Sequence, residues 1–221
     1  MTRPHIDTLV VATTNKGKLE ELRALLSGLP LEVRSAAEIL GEAPVVEEDG
    51  ETFADNATKK AREVAHATLM LTLADDSGLE VDAMGGRPGV RSARFAHARA
   101  TDAENNAALI AELEKLGDPP SAEGYPARFR CVLALVDPFA HKGEPRTVEG
   151  VCEGMITRAP RGSGGFGYDP LFVVAGTGQT MAELADGEKN RISHRARAFA
   201  ALRPVIEKVL AERAELAGRV G

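Results

Sequence analysis

The sequence predicts an α/β protein, because segments typical of strands and segments typical of amphipathic helices are interspersed along the chain. Residues 6–12 (IDTLVVA) form an almost continuous apolar run, as a buried central strand does. Leucines then recur at helical spacing through residues 18–30, and two more strand-like runs lie at residues 128–136 and 146–158. The 221 residues are 43% hydrophobic and 27% charged, so they can bury the core of one domain or of two lobes.

Charge and composition exclude several classes of function. The net charge is −6 and the chain has no long run of Lys or Arg, which argues against a nucleic-acid partner. No apolar run reaches the length of a membrane span, and the N-terminal run is too short for a signal peptide. We therefore expect a cytoplasmic protein without a membrane partner. Cys131 and Cys152 lie in strand-like apolar runs and are interpreted as buried free thiols.

The first predicted strand is followed by a polar loop and the start of a helix. Residues 13–18 (TTNKGK) contain two lysines, and Thr14 or Asn15 can cap a helix that ends near Gly28 and Pro30. A helix N-terminus presents unpaired backbone N–H groups and a positive dipole end, so this loop suits a phosphate group. It lacks the pattern of a Walker A loop, and a capped helix with solvated lysines is the alternative.

An acidic loop and a second helix come next, after a short strand predicted at residues 31–33. Residues 47–49 are three consecutive acids, which usually form a solvated surface; a metal site is the alternative interpretation. Residues 52–55 have the pattern of a capping box that opens an amphipathic helix. Asn56 and Lys60 are four residues apart and therefore project to a common side of that helix.

Residues 73–95 are the stretch around which the rest of the chain is interpreted. Leucines alternate with other residues at 69–73, and a second alternation occupies residues 79–83, so the sequence predicts two short strands. Residues 75–78 (Asp-Asp-Ser-Gly) are expected to form a tight turn between them. Turns on a rigid scaffold often carry function, but Asp and Ser also favour turns for purely local reasons. Both interpretations stay open for this segment taken alone.

A glycine-rich loop and a final helix stand out in the second half, after a helix predicted at residues 101–116. Residues 161–170 (RGSGGFGYDP) place four glycines around one Phe and one Tyr, in a chain with only 7 Phe and 2 Tyr. Glycine lets backbone approach a ligand closely, so ligand contact is favoured over a flexible turn. Ser193 is the predicted cap of the last helix, in which Pro204 should cause a kink or a restart.

Six segments, taken in this order, resemble the inosine triphosphate pyrophosphatase family, whose members hydrolyse ITP, dITP and XTP to the monophosphate and pyrophosphate. The segments are residues 13–18, 47–61 (through EEDGETF, NA and KA), 74–79 (ADDSGL), 88–94 (PGVRSAR), 164–170 (GGFGYDP) and 189–195 (KNRISHR). Thr14 stands where many members have Gly. The resemblance implies a single domain over residues 1–221, with a long twisted mixed β-sheet flanked by helices, and a nucleotide cleft between two lobes. It also implies a homodimer.

The resemblance further implies metal-assisted attack of water on the α-phosphorus, with one or more Mg²⁺ ions per subunit. Magnesium takes one or two protein carboxylates and keeps several waters. Glu47 and Asp76 are the implied ligands, with Asp75 as a neighbour. Asp76 is also the implied proton acceptor, and two close carboxylates can raise the pKa of one of them, which suits a base.

The resemblance also implies a set of residues that bind the nucleotide. The residue 13–18 loop and two lysines would hold the phosphates, two aromatic rings would stack on the purine, and cationic donors would meet O6 of hypoxanthine or xanthine and reject adenine. The implied set is Thr13, Thr14, Asn15, Lys16, Gly17, Lys18, Lys60, Ser77, Phe166, Gly167, Tyr168, Asp169, Lys189, His194 and Arg195. Guanine also carries O6, so its exclusion requires a clash or an unsatisfied partner at its 2-amino group.

Three alternatives to this function stay open on the sequence. The first is a related pyrophosphatase with another base preference, such as methylated pyrimidines or dUTP. The second is a regulatory protein that binds nucleotides without hydrolysing them, although binding alone does not require a base beside a metal ligand. The third is a structural interaction module, which does not account for the glycine-rich loop.

Overall fold

The computed structural model describes residues 7–220, except for the side chains of His141 and residues 217–220. Its strands are β1 (Asp7–Ala12), β2 (Leu31–Ser35), β3 (Leu71–Val81), β4 (Tyr125–Val136), β5 (Arg146–Ile156) and β6 (Phe172–Val174). They form one sheet in the order β2-β1-β3-β4-β5-β6. Strand β1 is parallel to β2 and β3, whereas β5 and β6 are antiparallel. The predicted mixed sheet is confirmed; Ile6, the predicted start of the first strand, lies outside the described residues.

The helices are α1 (Lys16–Leu26), α2 (Ala36–Leu40), α3 (Phe53–Thr68), α4 (Asp102–Lys115), α5 (Asp186–Ile192) and α6 (His194–Val220). Asn15 caps α1, and Thr52 and Thr101 close capping boxes at the starts of α3 and α4, as the sequence predicts. Helix α2 was not predicted, and its capping box begins at Ser35. Across residues 7–220, no helix is both long and apolar enough to cross a bilayer.

The chain divides into two compact units. The first contains the described residues of Met1–Asp76, Val132–Glu149 and Ala198–Gly221, and the second contains Ser77–Cys131 and Gly150–Arg197. The first unit buries the middle of β1 and the apolar stripes of α1 and α3, including Leu9, Val10, Val11, Leu22, Leu26, Ala57 and Ala61. The second has a core that includes Leu79, Val81, Leu109, Leu113, Phe129, Cys152, Leu171 and Phe172. Cys131 and Cys152 are buried free thiols.

Strand β3 differs from the prediction made for residues 69–83. The expected turn at Asp75 to Gly78 is wrong, because β3 runs without interruption from Leu71 to Val81. Leu69 is not part of a strand; it ends α3 in the left-handed conformation. Asp and Ser favour turns through local hydrogen bonds, but here both aspartates are almost fully buried, at 1% and 5% exposure, so tertiary contacts override the local preference.

The C-terminal helices confirm one prediction and correct another. Ser193 caps α6, since its Oγ accepts a hydrogen bond from the backbone N–H of Ala196. Helix α6 then continues past Pro204 as one helix, so the restart that was one of the two predicted outcomes does not occur. Pro204 lies on the exposed side of the helix, where water can satisfy the carbonyl group that proline leaves without a backbone donor.

Candidate functional site

Two lysines and three carboxylates come together in the first unit. We call Lys18, Glu48, Lys60, Asp75 and Asp76 the lysine–carboxylate cluster. Helix α1 supplies Lys18, the loop before α3 supplies Glu48, α3 supplies Lys60, and the middle of β3 supplies the two aspartates. The Nζ atom of Lys18 lies 2.6 Å from Oδ1 of Asp75, and the Asp75 side chain is fully buried.

Lys60 lies at the centre of the cluster. Its Nζ atom donates to Oε1 of Glu48 at 2.9 Å and to the backbone carbonyl of Asp75 at 2.7 Å. The same atom is 3.5 Å from Oδ1 of Asp76, a longer and weaker contact. With only 8% of Lys60 exposed, its charge is poorly hydrated and depends on these oxygens. One cation therefore connects the acidic loop to both aspartates of β3.

Burial and charge act in opposite directions on the two ionisable groups of this contact. Burial raises the pKa of Asp76, and the positive charges of Lys60 and Lys18 only partly offset it, so the net shift is upward. Burial lowers the pKa of Lys60, but attraction to Asp76 and Glu48 outweighs it, and the net shift is again upward. A carboxylate with a raised pKa accepts a proton more readily, which suits a general base.

The donor set of the cluster fits a hard divalent cation. Within residues 7–220, no three His, Cys, Asp or Glu side chains are already arranged to hold a metal ion. However, Oδ2 of Asp76 is buried and has no hydrogen-bond partner among the described residues. A buried carboxylate oxygen in that condition requires a partner, and magnesium needs only one or two carboxylates beside its waters. Of the two neighbouring glutamates, Glu47 is exposed, whereas Glu48 contacts Lys60.

The predicted phosphate loop lies between β1 and α1. Thr14, Asn15 and Lys16 are exposed, whereas Thr13 and Gly17 are half-buried. Asn15 accepts a hydrogen bond from the backbone of Lys18, and the first turn of α1 contains no acidic residue. No carboxylate within that turn therefore neutralises the positive end of the helix dipole. Lys18 has its carboxylate partner, Asp75, on β3.

In the second unit, two cations lie beside one aromatic ring. Lys189 Nζ is 5.0 Å and the Arg195 guanidinium carbon 5.7 Å from the ring centre of the half-buried Phe166. Arg195 also donates to Oγ of Ser77 at 3.0 Å, and only 1% of Arg195 is exposed. These distances are typical of cation–π contacts. The structure thus brings together four of the residues that were predicted to contact the nucleotide.

Asp169 holds the glycine-rich loop through hydrogen bonds to Phe166 and Lys189. Its Oδ2 atom accepts from Lys189 Nζ at 2.7 Å and from the backbone N–H of Phe166 at 3.0 Å. Gly165 lies directly against this ion pair: a Cβ atom there would come within 2.0 Å of the Asp169 carboxylate, and its φ is +73°. Only glycine meets both conditions without strain.

Tyr168 and His194, which were predicted to contact the base, lie deeper than Phe166. Tyr168 is 4% exposed, and its hydroxyl donates to the backbone carbonyl of Ser92 at 2.8 Å. Burial raises the pKa of the Tyr168 hydroxyl. The His194 ring stacks on Phe129 with the two ring centres 4.8 Å apart. Phe166 is therefore the more accessible of the two aromatic rings in the loop.

Sequence reasoning missed several residues that shape these groups. The sequence analysis assigns Glu47 rather than Glu48 as a metal ligand, and it considers Asn56 only for its spacing from Lys60. Helix α4 was not connected with the glycine-rich loop, yet Asp102 Oδ2 accepts from the backbone N–H of Gly167 at 2.7 Å. One turn later, Asn106 donates to the carbonyl of Gly167 at 2.9 Å. The i, i+4 spacing of two polar residues was the available signal.

Comparison with known proteins connects the chain to one family. A model of the Ham1 family matches residues 9–205. The chain is 51% identical over 195 residues to a dITP/XTP pyrophosphatase of Geobacter sulfurreducens, covering 88% of this chain and 94% of the relative. It is 46% identical over 198 residues to the enzyme of that name from Bacillus subtilis, covering 90% and 96%. A solved HAM1 protein from Coxiella burnetii superposes with a TM-score of 0.80 at 41% identity, covering 92% of this chain and all of the other.

Proposed function

Because the chain belongs to the Ham1 family, we propose that it hydrolyses the non-canonical purine nucleoside triphosphates ITP, dITP, XTP and dXTP to the monophosphate and pyrophosphate. The observation that carries the proposal is the buried Asp76 carboxylate, whose pKa is raised by burial and which lies 3.5 Å from Lys60. A proton acceptor held beside a cation can take the proton of an attacking water next to an anionic substrate. Such an enzyme removes aberrant purines from the nucleotide pool.

In this reaction Asp76 is the general base. Water attacks the α-phosphorus, its proton passes to the carboxylate of Asp76, and the bond from the α-phosphorus to the bridging oxygen breaks as pyrophosphate leaves. No covalent intermediate with the enzyme is involved. We propose that Glu47 and Asp76 hold one or more Mg²⁺ ions per subunit, with Glu48 as a further candidate. Magnesium supplies charge neutralisation on the phosphate oxygens when it is bound.

The remaining residues of the first unit position the triphosphate. Lys18 and Lys60 provide positive charge next to Asp75 and Asp76, and the exposed start of α1 offers backbone N–H groups. The set that we assign to the phosphates is Thr13, Thr14, Asn15, Lys16, Gly17, Lys18 and Lys60. Each well-placed donor to developing charge contributes about 10²–10³-fold to kcat in other hydrolases.

The second unit supplies the groups that we assign to the base. The half-buried ring of Phe166 offers a stacking face, and Lys189 and Arg195 offer donors beside that ring. Donors select O6 of hypoxanthine and xanthine over the amino group of adenine. The full set is Ser77, Phe166, Gly167, Tyr168, Asp169, Lys189, His194 and Arg195. Tyr168 and His194 support this group from their more buried positions.

We also propose that the protein acts in the cytoplasm, as one domain per chain, and as a homodimer. Resemblance to the family supports the single domain and the homodimer. A nucleotide and a metal ion are the proposed ligands, and neither a nucleic acid nor a membrane is a proposed partner.

The first test is pyrophosphate release from ITP, dITP, XTP, GTP, ATP and dTTP, measured with magnesium and again with EDTA. We expect ITP, dITP and XTP to be turned over far faster than the other three, with the monophosphate and pyrophosphate as products. Chelation of the metal should abolish the activity.

Other results of the same assay favour the alternatives. Orthophosphate as the first product would contradict attack at the α-phosphorus. Turnover of GTP at the same rate as ITP would contradict the proposed selectivity for hypoxanthine and xanthine. Preferred turnover of a pyrimidine triphosphate would favour a related pyrophosphatase. Tight binding of ITP without turnover would favour a regulatory protein.

A further inference from the structure

The PGVRSAR segment at residues 88–94 resembles the family, yet none of its residues belongs to the sets assigned to metal, phosphate or base. In the structure, Gly89–Arg94 forms a short 3₁₀ helix in the second unit. Ser92 is the one buried residue of this helix, at 8% exposure. A buried hydroxyl requires hydrogen-bond partners, and the partners of Ser92 show what the 3₁₀ helix connects.

The hydroxyl of Ser92 attaches the 3₁₀ helix to strand β3. Its Oγ atom accepts a hydrogen bond from the backbone N–H of Leu79 at 2.9 Å and donates one to the carbonyl of Gly89 at 2.7 Å. Because a serine hydroxyl has a single proton, which Gly89 receives, its acceptor side faces β3. Leu79 is fully buried and lies two residues after Ser77 on that strand. The attachment is therefore close to the residue that Arg195 contacts.

The backbone carbonyl of Ser92 contacts the glycine-rich loop. It accepts a hydrogen bond from the hydroxyl of Tyr168 at 2.8 Å, and the contact is buried. Burial raises the pKa of this hydroxyl, so the group keeps the proton that it donates. Tyr168 is two residues away from Phe166, the more accessible aromatic ring of the loop. Ser92 therefore contacts β3 with its side chain and the loop with its backbone.

Helix α4 completes a ring of hydrogen bonds around the loop. Asn105 donates to the carbonyl of Ala93 at 3.1 Å and accepts from the backbone N–H of Ala96 at 3.0 Å. The next residue, Asn106, donates to the carbonyl of Gly167 at 2.9 Å. The ring leads from the 3₁₀ helix to the loop, and from the loop through α4 back to the 3₁₀ helix. Because both connections must be satisfied together, the loop has fewer conformations than glycine alone would allow.

We propose that Ser92 is a positioning residue for the nucleotide base. Its hydroxyl fixes the 3₁₀ helix on β3, so that its carbonyl holds Tyr168, and with it the ring of Phe166, in one place. This rests on the proposed function, in which the loop receives the purine. Ser92 acts through Tyr168 without contact to the substrate, and it affects binding of the base rather than attack on the α-phosphorus.

Ser92→Ala removes the hydroxyl and keeps the carbonyl. We expect KM for ITP to rise about fivefold, the effect of one lost hydrogen bond. The change in kcat should be less than about twofold, since the variant weakens the ground state and the transition state equally.

The two products of the reaction separate the parts of the substrate. IMP carries the base, so Ser92→Ala should raise its dissociation constant, measured by isothermal titration calorimetry, by the same factor of about five. Pyrophosphate has no base, and its inhibition constant should change by less than about twofold. A general loss of structure would affect both products alike.

Ser35→Ala is the matched control. Ser35 is buried to a similar degree, at 7% exposure, and lies in the first unit. Its Oγ atom accepts a hydrogen bond from the backbone N–H of Glu38 at the start of α2. Loss of either hydroxyl should lower the melting temperature, because each leaves a backbone N–H without that partner. Only Ser92→Ala should raise KM for ITP.

A double-mutant cycle tests the connection through Tyr168. Tyr168→Phe removes the hydroxyl that binds the carbonyl of Ser92, and it should also raise KM for ITP about fivefold. In the Tyr168→Phe background, Ser92→Ala should raise KM by less than about twofold more, because the two groups belong to one connection. Independent effects would instead multiply to about 25-fold.

The outcomes distinguish this inference from the proposed function. If the wild-type protein hydrolyses ITP and folded Ser92→Ala keeps its KM within about twofold, the inference is wrong and the function stands. A fall in kcat at constant KM, an unchanged affinity for IMP, or independent effects in the double-mutant cycle would also overturn it. So would failure of Ser92→Ala to fold under conditions where Ser35→Ala folds, because Ser92 would then act on the fold alone.

Two further outcomes concern the wild-type protein. If it binds IMP without hydrolysing ITP, the proposed function fails, and the IMP titration of Ser92→Ala decides the inference. If it neither hydrolyses ITP nor binds IMP, both proposals fail.

Discussion

The two adjacent aspartates of β3 have different surroundings because they belong to a strand. Successive side chains of a strand point to opposite faces of its sheet. Asp75 is paired with Lys18 at 2.6 Å, whereas the contact of Asp76 with Lys60 is longer, at 3.5 Å. The strand gives Asp75 a structural ion pair and leaves Asp76 with an oxygen for chemistry.

The choice of the second proposed metal ligand, Glu47 or Glu48, also belongs to the scale of single residues. The sequence assigns Glu47, but the structure brings Glu48 into the lysine–carboxylate cluster. We expect Glu48→Gln to raise the magnesium concentration for half-maximal ITP hydrolysis by about tenfold, the lower end of the range for loss of a residue that supports the ligands of a metal site. Glu47→Gln is the matched comparison, identical in chemistry and one residue away; if Glu48 takes the place of Glu47 as the ligand, Glu47→Gln changes this value by less than about threefold. The measurement is a magnesium titration at saturating ITP; an effect confined to Glu47→Gln would instead support the assignment from the sequence.

At the scale of elements, α4 fixes the glycine-rich loop. Asp102 and Asn106 lie one turn apart and bind the two sides of Gly167, whose φ is +62°. The loop is held again by Tyr168, which donates to Ser92. A glycine-rich segment is conformationally permissive, so external hydrogen bonds are needed to keep Phe166 in one place. The helix supplies two of them.

Removal of these bonds should therefore affect substrate binding. We expect Asp102→Ala and Asn106→Ala each to raise KM for ITP about fivefold, since a hydrogen bond contributes about 1 kcal/mol net. Because the loop is assigned to the base rather than to the attacking water, kcat should change less than twofold. Glu114→Ala, an exposed position on the same helix, should leave both parameters unchanged. Steady-state kinetics with ITP tests this, and a fall in kcat at constant KM would show that the loop acts in the chemical step.

At the scale of the whole molecule, the sequence predicts the elements better than their contacts. Strong periodicity and capping boxes identify α1, α3, α4 and the principal strands, because these signals are local. The turn at Asp75 was wrong for the same reason: its strand conformation depends on partners distant in sequence, such as Lys18. Pairing of Glu48 with Lys60, and of Gly167 with α4, likewise joins segments that no local pattern connects. Candidate residues of the site could be named from the sequence, but not which of them touch.

Contacts of this kind also join helix α6 to the start of β1. In the first unit, Arg213 of α6 binds Asp7 at the start of β1 and Asp137 just after β4, each at 2.8 Å. The Asp137 side chain is only 7% exposed, so removal of its partner leaves a poorly hydrated carboxylate. We expect Arg213→Met to lower the free energy of unfolding by about 1.5–3 kcal/mol, the range for hydrogen bonds to charged groups.

The matched control for this last prediction lies ten residues earlier on the same helix. Arg203 makes a single 3.0 Å contact with Glu207, and both side chains are 53% exposed. Such i, i+4 surface pairs contribute about 0.3–0.5 kcal/mol, so Arg203→Met should be nearly neutral. Urea denaturation followed by circular dichroism measures both variants. Equal losses would mean that the bonds from Arg213 to the two aspartates contribute no more than a surface pair, and that burial of apolar side chains alone holds α6 in place.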